Sequence, residues 1–398
     1  MLMIQPLSAE EKQRRILLDF CNDYDLTVNQ IRQIMPEATD RQIAEWTQRQ
    51  ELENLDIDGS IRYFRRAARN LFRINREARE YYLDKYGDDK AARTKFLAEY
   101  LPQIVNEADR REFRFHFSLT VASDAVPDGE IIRCWLPRPV ECKYQYSKSA
   151  QSMNISTHSS LYIEKRATAG MPTIFDTYFE VETRSFHRND RHSAVDESFT
   201  AADLIEEAPH IVFTDDIKRL SAKIVGCERD KQTIARKIFC WISDNIVWAA
   251  AREYSTIDNI PSYIIRHKHG DCGQSTLLFM TLCRYNGIPV RWLSGFMLHP
   301  GYENIHDWCE IFLDGYGWMP VDVSFGIQRY SSDDDVRYFY FMGIDSFRIV
   351  VNRGISGVLQ PEKIFPRSET VDFQRGEVEW RRGNIYFDKF DYNFYIDK

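Results

Sequence analysis

The chain has 398 residues, a net charge of −8, 43% hydrophobic and 14% aromatic residues. That length allows two or three domains with buried cores, and that composition excludes a generally disordered chain. The acidic balance gives no reason to expect a nucleic-acid binder, and no apolar run approaches the ~18 residues of a membrane span.

Met1-Leu2-Met3-Ile4-Gln5-Pro6 shows no basic stretch leading into a long apolar one, so no secretory signal is visible. Eight cysteines are scattered without Cys-x-x-Cys spacing. That pattern argues against a zinc site and a disulfide framework and fits a reducing compartment. The expectation is a cytoplasmic location, with no metal and no cofactor.

Residues 1–112 read as a helical domain. Ser8…Glu11, Thr27…Gln30 and Thr39…Gln42 each match a capping box ahead of a helical period. Two short helices followed by Asp58-Gly59 fit a helix-turn-helix with a small β wing, and equally any compact helical domain. Arg62, Arg66, Arg69, Arg73 and Arg76 recur at helical steps and predict one arginine face on one helix. The expectation for it is a solvated or ion-paired face rather than an anion-binding one.

From Phe113 the texture changes. Phe113 to Val121 alternates strictly, as a half-buried strand does. Pro127-Asp128-Gly129 is a turn, and Ile131 to Leu136 is expected to pair back as its hairpin partner. With Leu161–Glu164 and Thr177–Glu182, residues 113–190 read as a β-sandwich-like module. A catalytic core is expected over 191–330. Residues 331–398 are read as strands that extend the core or pack on the β module, including Tyr338 to Phe341.

Within the core, Gly270-Asp271-Cys272-Gly273-Gln274 opens an apolar run that ends at Asn286-Gly287, so a buried helix is expected with Cys272 in its first turn. Ile288–Leu293, His306–Leu313 and Trp318–Val323 read as strands. A helix N-terminus and a nearby imidazolium both favour a thiolate, and a histidine needs a fixed acceptor on its second nitrogen. Cys272, His306 and Asp322 provide those parts. Cys283 and Cys309, inside apolar runs, are read as core, as are Trp308 and Trp318. His267, His269 and His299 show no convincing partner.

Gly-x-Cys, Gly-Ile-Pro-x-Arg, His-x-Trp-x-Glu and Gly-Trp-x-x-x-Asp, in that order from Gly270 to Asp322, resemble the core of the transglutaminase-like superfamily, relatives of papain-type cysteine proteases. Trp135-Leu-Pro-x-Pro139 is similar to the β domain before the core of many bacterial members. The resemblance implies an α+β fold in which the cysteine helix packs on an antiparallel sheet. It implies Cys272 as nucleophile, His306 as general base and acid, and Asp322 as the orienting group. The Cys272 backbone N–H would be one oxyanion donor and Trp248, loosely aligned, a second. The expected activity is hydrolysis of an amide or peptide bond in a peptide or protein substrate through a thioester. The alternatives are a protein-glutamine amine transferase and a catalytically silent binding scaffold. Asp271, Asp307 and Val323 stand where the family usually has Gln (in animal transglutaminases), Ala and Pro. The resemblance therefore points to acyl chemistry and leaves the acyl donor open.

Overall fold

The computed structural model describes residues 6–148, 160–188 and 198–397. Capping side chains start the first helices. Ser8 accepts from the Glu11 N–H to open α1 (Ala9–Asp19), and Asp23 accepts from Leu26 to open α2 (Tyr24–Ile34). Thr39 and Gln42 form a complete capping box on α3 (Asp40–Gln48). The predicted box at Thr27 is absent: Thr27 lies inside α2, and its hydroxyl donates to the Asp23 carbonyl at 2.8 Å. A hairpin follows, β1 (Asn54–Ile57) and β2 (Ser60–Tyr63), turned by Asp58 and Gly59 in left-handed conformations.

The single arginine-faced helix is also absent. Asn75 ends α4 (Ala67–Ile74) and, by accepting from Ala78, starts α5 (Arg76–Tyr86). Arg62 is on β2, Arg66 precedes α4, and Arg76 opens α5, so the stripe is divided among three elements. These elements share a core of Phe20, Ile31, Trp46, Phe64 and Leu71. The next helix, α6 (Ala91–Ile104), packs instead into the main core through Leu97, Tyr100 and Leu101.

The β module contains β3 (Arg110–Val121), β4 (Ile131–Pro137), β5 (Gln145–Ser147), β6 (Ser160–Arg166), β7 (Thr173–Arg184) and β8 (Phe186–His187). As its alternation requires, β3 buries Phe113, Phe115, Phe117, Leu119 and Val121. Its partner is β7, not β4. Cys134, Trp135 and Leu136 of β4 are consecutive and fully buried, as befits a strand covered on both faces; β4 pairs with β6 in a different sheet.

The helices α7 (Asp215–Val225) and α8 (Lys231–Asn245) lead to the short strand β9 (Val247–Trp248), α9 (Ile260–His267) and β10 (His269–Gly270). Then comes α10 (Cys272–Tyr285), buried from Gly273 to Arg284. It packs on β11 (Val290–Met297) and β12 (Asn304–Leu313). The remaining elements are β13 (Gly317–Val321), α11 (Asp334–Arg337), β14 (Gly343–Ile344), β15 (Arg348–Arg353), β16 (Glu377–Trp380), β17 (Gly383–Ile385) and β18 (Phe390–Asp397). The core sheet runs β13-β12-β11-β15, antiparallel throughout. The fold is thus α+β, a cysteine-bearing helix on an antiparallel sheet.

The C-terminal strands divide their pairing. β15 extends the core sheet, whereas β16, β17 and β18 complete the two sheets of the sandwich, ordered β17-β16-β4-β6 and β18-β3-β7-β5. Tyr338 to Phe341 is not a strand. It is a turn after α11, tied to the end of β13 by the Phe341–Val321 bridge and by the Asp322 N–H donating to the Tyr340 carbonyl at 2.9 Å; a short apolar run looks the same in either conformation.

At Gly295 the β11–β15 register shifts, and a Cβ there would lie 1.8 Å from the Ile349 carbonyl oxygen. Gly295→Ala is therefore expected to lower the unfolding free energy by about 2–4 kcal/mol. Gly301→Ala, where nothing lies within 4 Å, should cost about 1 kcal/mol from its positive φ alone. Paired denaturant titrations check both values.

Candidate active site

Sequence and sterics fix the first turn of α10. Asp271 is its N-cap: Oδ1 accepts from the Gln274 N–H at 3.0 Å and from the Tyr254 hydroxyl at 2.6 Å. A Cβ at Gly273 would fall 2.3 Å from the Tyr254 oxygen and 2.6 Å from Asp307 Oδ2. A Cβ at Gly270 would meet Gln274 Oε1 at 2.7 Å. The small residues flanking Asp271-Cys272 are thus required by the crowding around the thiol. Gly270 also pairs with Trp248 across β9 and β10, which sets the indole beside the helix start.

His306 lies near the start of β12 and Asp322 just beyond the end of β13. His306 Nε2 and Asp322 Oδ2 are 2.7 Å apart, which leaves Nδ1 as the other nitrogen. The Asp322 carboxylate has no exposed surface. Its Oδ1 accepts from the Ser324 hydroxyl at 2.9 Å and from the N–H groups of Ser324 and Phe325 at 3.2 Å. Arg348 Nη1 lies 3.1 Å from Oδ2. Burial alone would raise the Asp322 pKa, but His306 and Arg348 outweigh it and hold it at about 2. Burial pushes the His306 pKa below its ordinary value, with Asp322 opposing. The imidazole meets Phe325 edge-on, with centroids 5.4 Å apart.

Behind this pair stands a second tier that the sequence did not disclose. Arg348 Nε reaches Asp345 at 3.2 Å, and His299 Nε2 lies 3.2 Å from the other Asp345 oxygen. His299, expected to lack a partner, therefore faces Asp345. His267 stacks on Tyr263 at 4.3 Å. Burial brings both His267 and His269 to about 4. Among the described residues no cluster of three metal-ligating side chains occurs. Cys283, Cys309 and Trp308 are fully buried and Trp318 nearly so.

The thiol itself donates to Asp307 Oδ2 at 3.4 Å. Burial, then Asp307 and Asp271, push the Cys272 pKa well up. Asp307 is raised in turn by burial and by Asp271, and Asp372 by burial and by Asp307. Gln374 Nε2 fixes this corner by donating to Asp307 Oδ1 at 2.9 Å, to the His306 carbonyl at 2.7 Å and to the Gly295 carbonyl at 3.0 Å. In this resting arrangement the thiol is protonated.

Cys272 borders two cavities. One, of about 290 Å³, is shared with His306 and Phe325; the other, of about 440 Å³, with Asp271, Asp307 and Asp372. Trp248 borders both, its ring covered by the Arg73 guanidinium at 5.2 Å and the Lys90 ammonium at 5.4 Å. Arg66 and Arg73 of the arginine stripe reach the two cavities because Asn70 pins α4 to Ala250, donating to its carbonyl at 2.8 Å and accepting from its N–H at 3.0 Å. That bond pair joins residues distant in sequence, and no local pattern announces it.

Residues 218–323 match the model of the transglutaminase-like superfamily. This stretch is a transglutaminase-like core, of a superfamily whose members are usually cysteine-dependent enzymes of papain-like fold. An uncharacterized protein of Haemophilus influenzae is 23% identical over 269 residues, covering 56% of this chain and 70% of that one. A candidate cysteine protease from Cytophaga hutchinsonii is 13% identical, with a TM-score of 0.47, covering 73% of this chain and 91% of that one. The periplasmic domain of TgpA from Pseudomonas aeruginosa is 13% identical, with a TM-score of 0.32, covering 61% and 97%. Among the described residues no helix is long and apolar enough to cross a membrane.

Because Asp307 raises the thiol pKa, Asp307→Asn is expected to lower it. The midpoint of the pH profile for iodoacetamide alkylation of Cys272, followed by peptide mass analysis, should move to lower pH. An unmoved or higher midpoint would mean that Asp307 does not govern the thiol.

Proposed function

We propose that this chain is a cysteine-dependent hydrolase of amide or peptide bonds, with Cys272, His306 and Asp322 as its catalytic residues. The observation that carries this reading is the 2.7 Å contact between His306 Nε2 and Asp322. It occupies one ring nitrogen and leaves Nδ1 for a thiol in the same cavity, at the start of a 14-residue helix. The roles follow from that geometry. Cys272 turns from Asp307 toward His306, whose Nδ1 takes the thiol proton as sulfur attacks the carbonyl carbon. The carbonyl π electrons move to oxygen, and the Cys272 backbone N–H donates to that oxyanion. The Trp248 indole is the second donor in this reading.

Collapse of the intermediate breaks the C–N bond, and His306 returns its proton to the leaving amine. Water then enters; His306 takes one of its protons while its oxygen attacks the thioester. The C–S bond breaks, the acid leaves, and the proton goes back to sulfur. Asp322, held ionised, stabilises the imidazolium formed in both steps and fixes the ring.

Hydrolysis is favoured over transfer by the lining of the His306-side cavity. Arg73, Lys90, Arg93, Asn304 and Ser324 line it, and such walls admit water rather than exclude it. One observation favours the second reading, transfer to an amine. The cavity on the other side of the thiol is walled by Asp271, Asp307, Glu369 and Asp372, with Arg65, Arg66, Arg252 and Arg375 also on its lining; its carboxyl groups can receive an amine.

Asp322→Asn is expected to fold and to lower turnover by roughly 10²–10⁴-fold. Near-unchanged turnover on protein shown to be folded would mean another acceptor orients His306. Glutamine-containing peptides supplied with and without a labelled primary amine decide between the two outcomes by product mass. Hydrolysis is expected to dominate, and amine incorporation well above hydrolysis would make the chain a transferase.

A further inference from the structure

Cations lose hydration when partly buried and normally recover it from a carboxylate. Lys90 and Arg93 are both partly buried, and both border the cavity that holds Cys272 and His306. Among the described residues neither forms an ion pair or a side-chain hydrogen bond. Their contacts are aromatic: Lys90 lies 5.4 Å from the Trp248 ring, and Arg93 lies 5.5 Å from the Tyr302 ring and 5.2 Å from Phe325. Phe325 is also the ring against His306.

The carboxylates nearby form no ion pair with either side chain, although Asp89 and Asp88 act on Lys90, and Asp322 on Arg93, at longer range. Asp89 pairs with Arg73 at 2.7 Å, Asp88 accepts from the Lys90 backbone at 2.9 Å, and Glu303, on the cavity rim, accepts from the Gly301 N–H at 3.2 Å. Burial, then Arg73 and Arg93, bring the Lys90 pKa down to about 8, with Asp89 and Asp88 opposing, so it is charged at neutral pH. Local sequence rules are broken here as well. Lys90 is the N-cap of the 14-residue α6 and Arg93 lies in its first turn, which has no acidic residue and no side-chain cap. Cations at a helix start are unfavourable, and such a conflict is expected where function outweighs stability.

We propose that Lys90 and Arg93 form a carboxylate-binding subsite, so that the preferred acyl donor carries an anion beside the amide that Cys272 attacks. The inference rests on Cys272 being the nucleophile. The anion must travel on an amide substrate. In a peptide it is either an acidic side chain or a free terminal carboxylate, and an arginine fork with a neighbouring ammonium suits both. Arg73, already paired with Asp89, adds positive potential at the Trp248 end of the subsite.

Iodoacetate and iodoacetamide differ in carboxylate against carboxamide and react with the same sulfur. Their rates at Cys272 are compared in the full chain at pH 7, where Lys90 is charged, with exposed Cys227 as the internal reference. The iodoacetate-to-iodoacetamide ratio is expected to be higher at Cys272 than at Cys227. It should fall about fivefold in Lys90→Gln, the attraction of one partly screened charge, and further in Lys90→Gln/Arg93→Gln. Arg93→Lys should retain it. Protection of Cys272 from iodoacetamide by N-acetylglycine, by N-acetylglutamic acid α-amide and by neutral N-acetylglycinamide then separates a terminal carboxylate from a side-chain one. Equal ratios in wild type and variants, or protection no better than by the neutral amide, would remove the carboxylate subsite and leave the nucleophile standing. Failure of both reagents to label Cys272 would remove the nucleophile and the subsite together.

Discussion

A carboxylate with no exposed surface survives only when donors surround it, and the core is arranged around one that meets this demand. Asp322 takes bonds from its own turn at Ser324 and Phe325, from His306 on β12, and faces Arg348 on β15. These groups come from different parts of the sheet, so the strand order β13-β12-β11-β15 is a condition of keeping Asp322 ionised. Arg348 is compensated by Asp345 as well as by Asp322, and Asp345 in turn faces His299 and accepts from Tyr340. The orientation of one imidazole is thereby tied to the packing of a whole sheet.

The thiol experiences the opposite demand. On one side it borders the cavity it shares with His306 and a cationic wall, and on the other a group of carboxyl groups whose pKa values burial raises. A cysteine in that position rests as a thiol bonded to Asp307. In the proposed reaction, a substrate that fills the cation-lined cavity exchanges the resting contact with Asp307 for a bond to carbon. Trp248, which borders both cavities, forms the ridge between these two environments.

Local chemistry made part of this arrangement legible. The Gly-Asp-Cys-Gly turn, the spacing of His306 and Asp322, and the Thr39 capping box are short-range features whose residue types carry their own reasons. Asp307 was not legible as a partner of the thiol. Strand alternation turns it away from the face of His306, and only the position of the α10 start shows that both faces of the β12 end reach Cys272. Arg348, Gln374, Lys90 and Arg93 depend on tertiary contacts that no periodicity encodes. The arginine stripe misled because Asn75 was read as part of a helix, although an asparagine that can accept from the N–H three residues on is a recognised start signal. The partner of β4 was missed because adjacency in sequence was taken for adjacency in the sheet.

Gln374 ties Gly295, His306 and Asp307 together from a segment made long after Cys272. During synthesis the cysteine helix and the sheet beneath it leave the ribosome before the wall that holds Asp307 and Asp372 exists. A nascent chain paused between them would carry the thiol and Asp307 without Gln374 and Asp372, which hold that carboxyl in place. The late segment thus acts as a cover fitted at the end of manufacture, and premature termination before it would release a cysteine with a different reactivity from that of the finished protein.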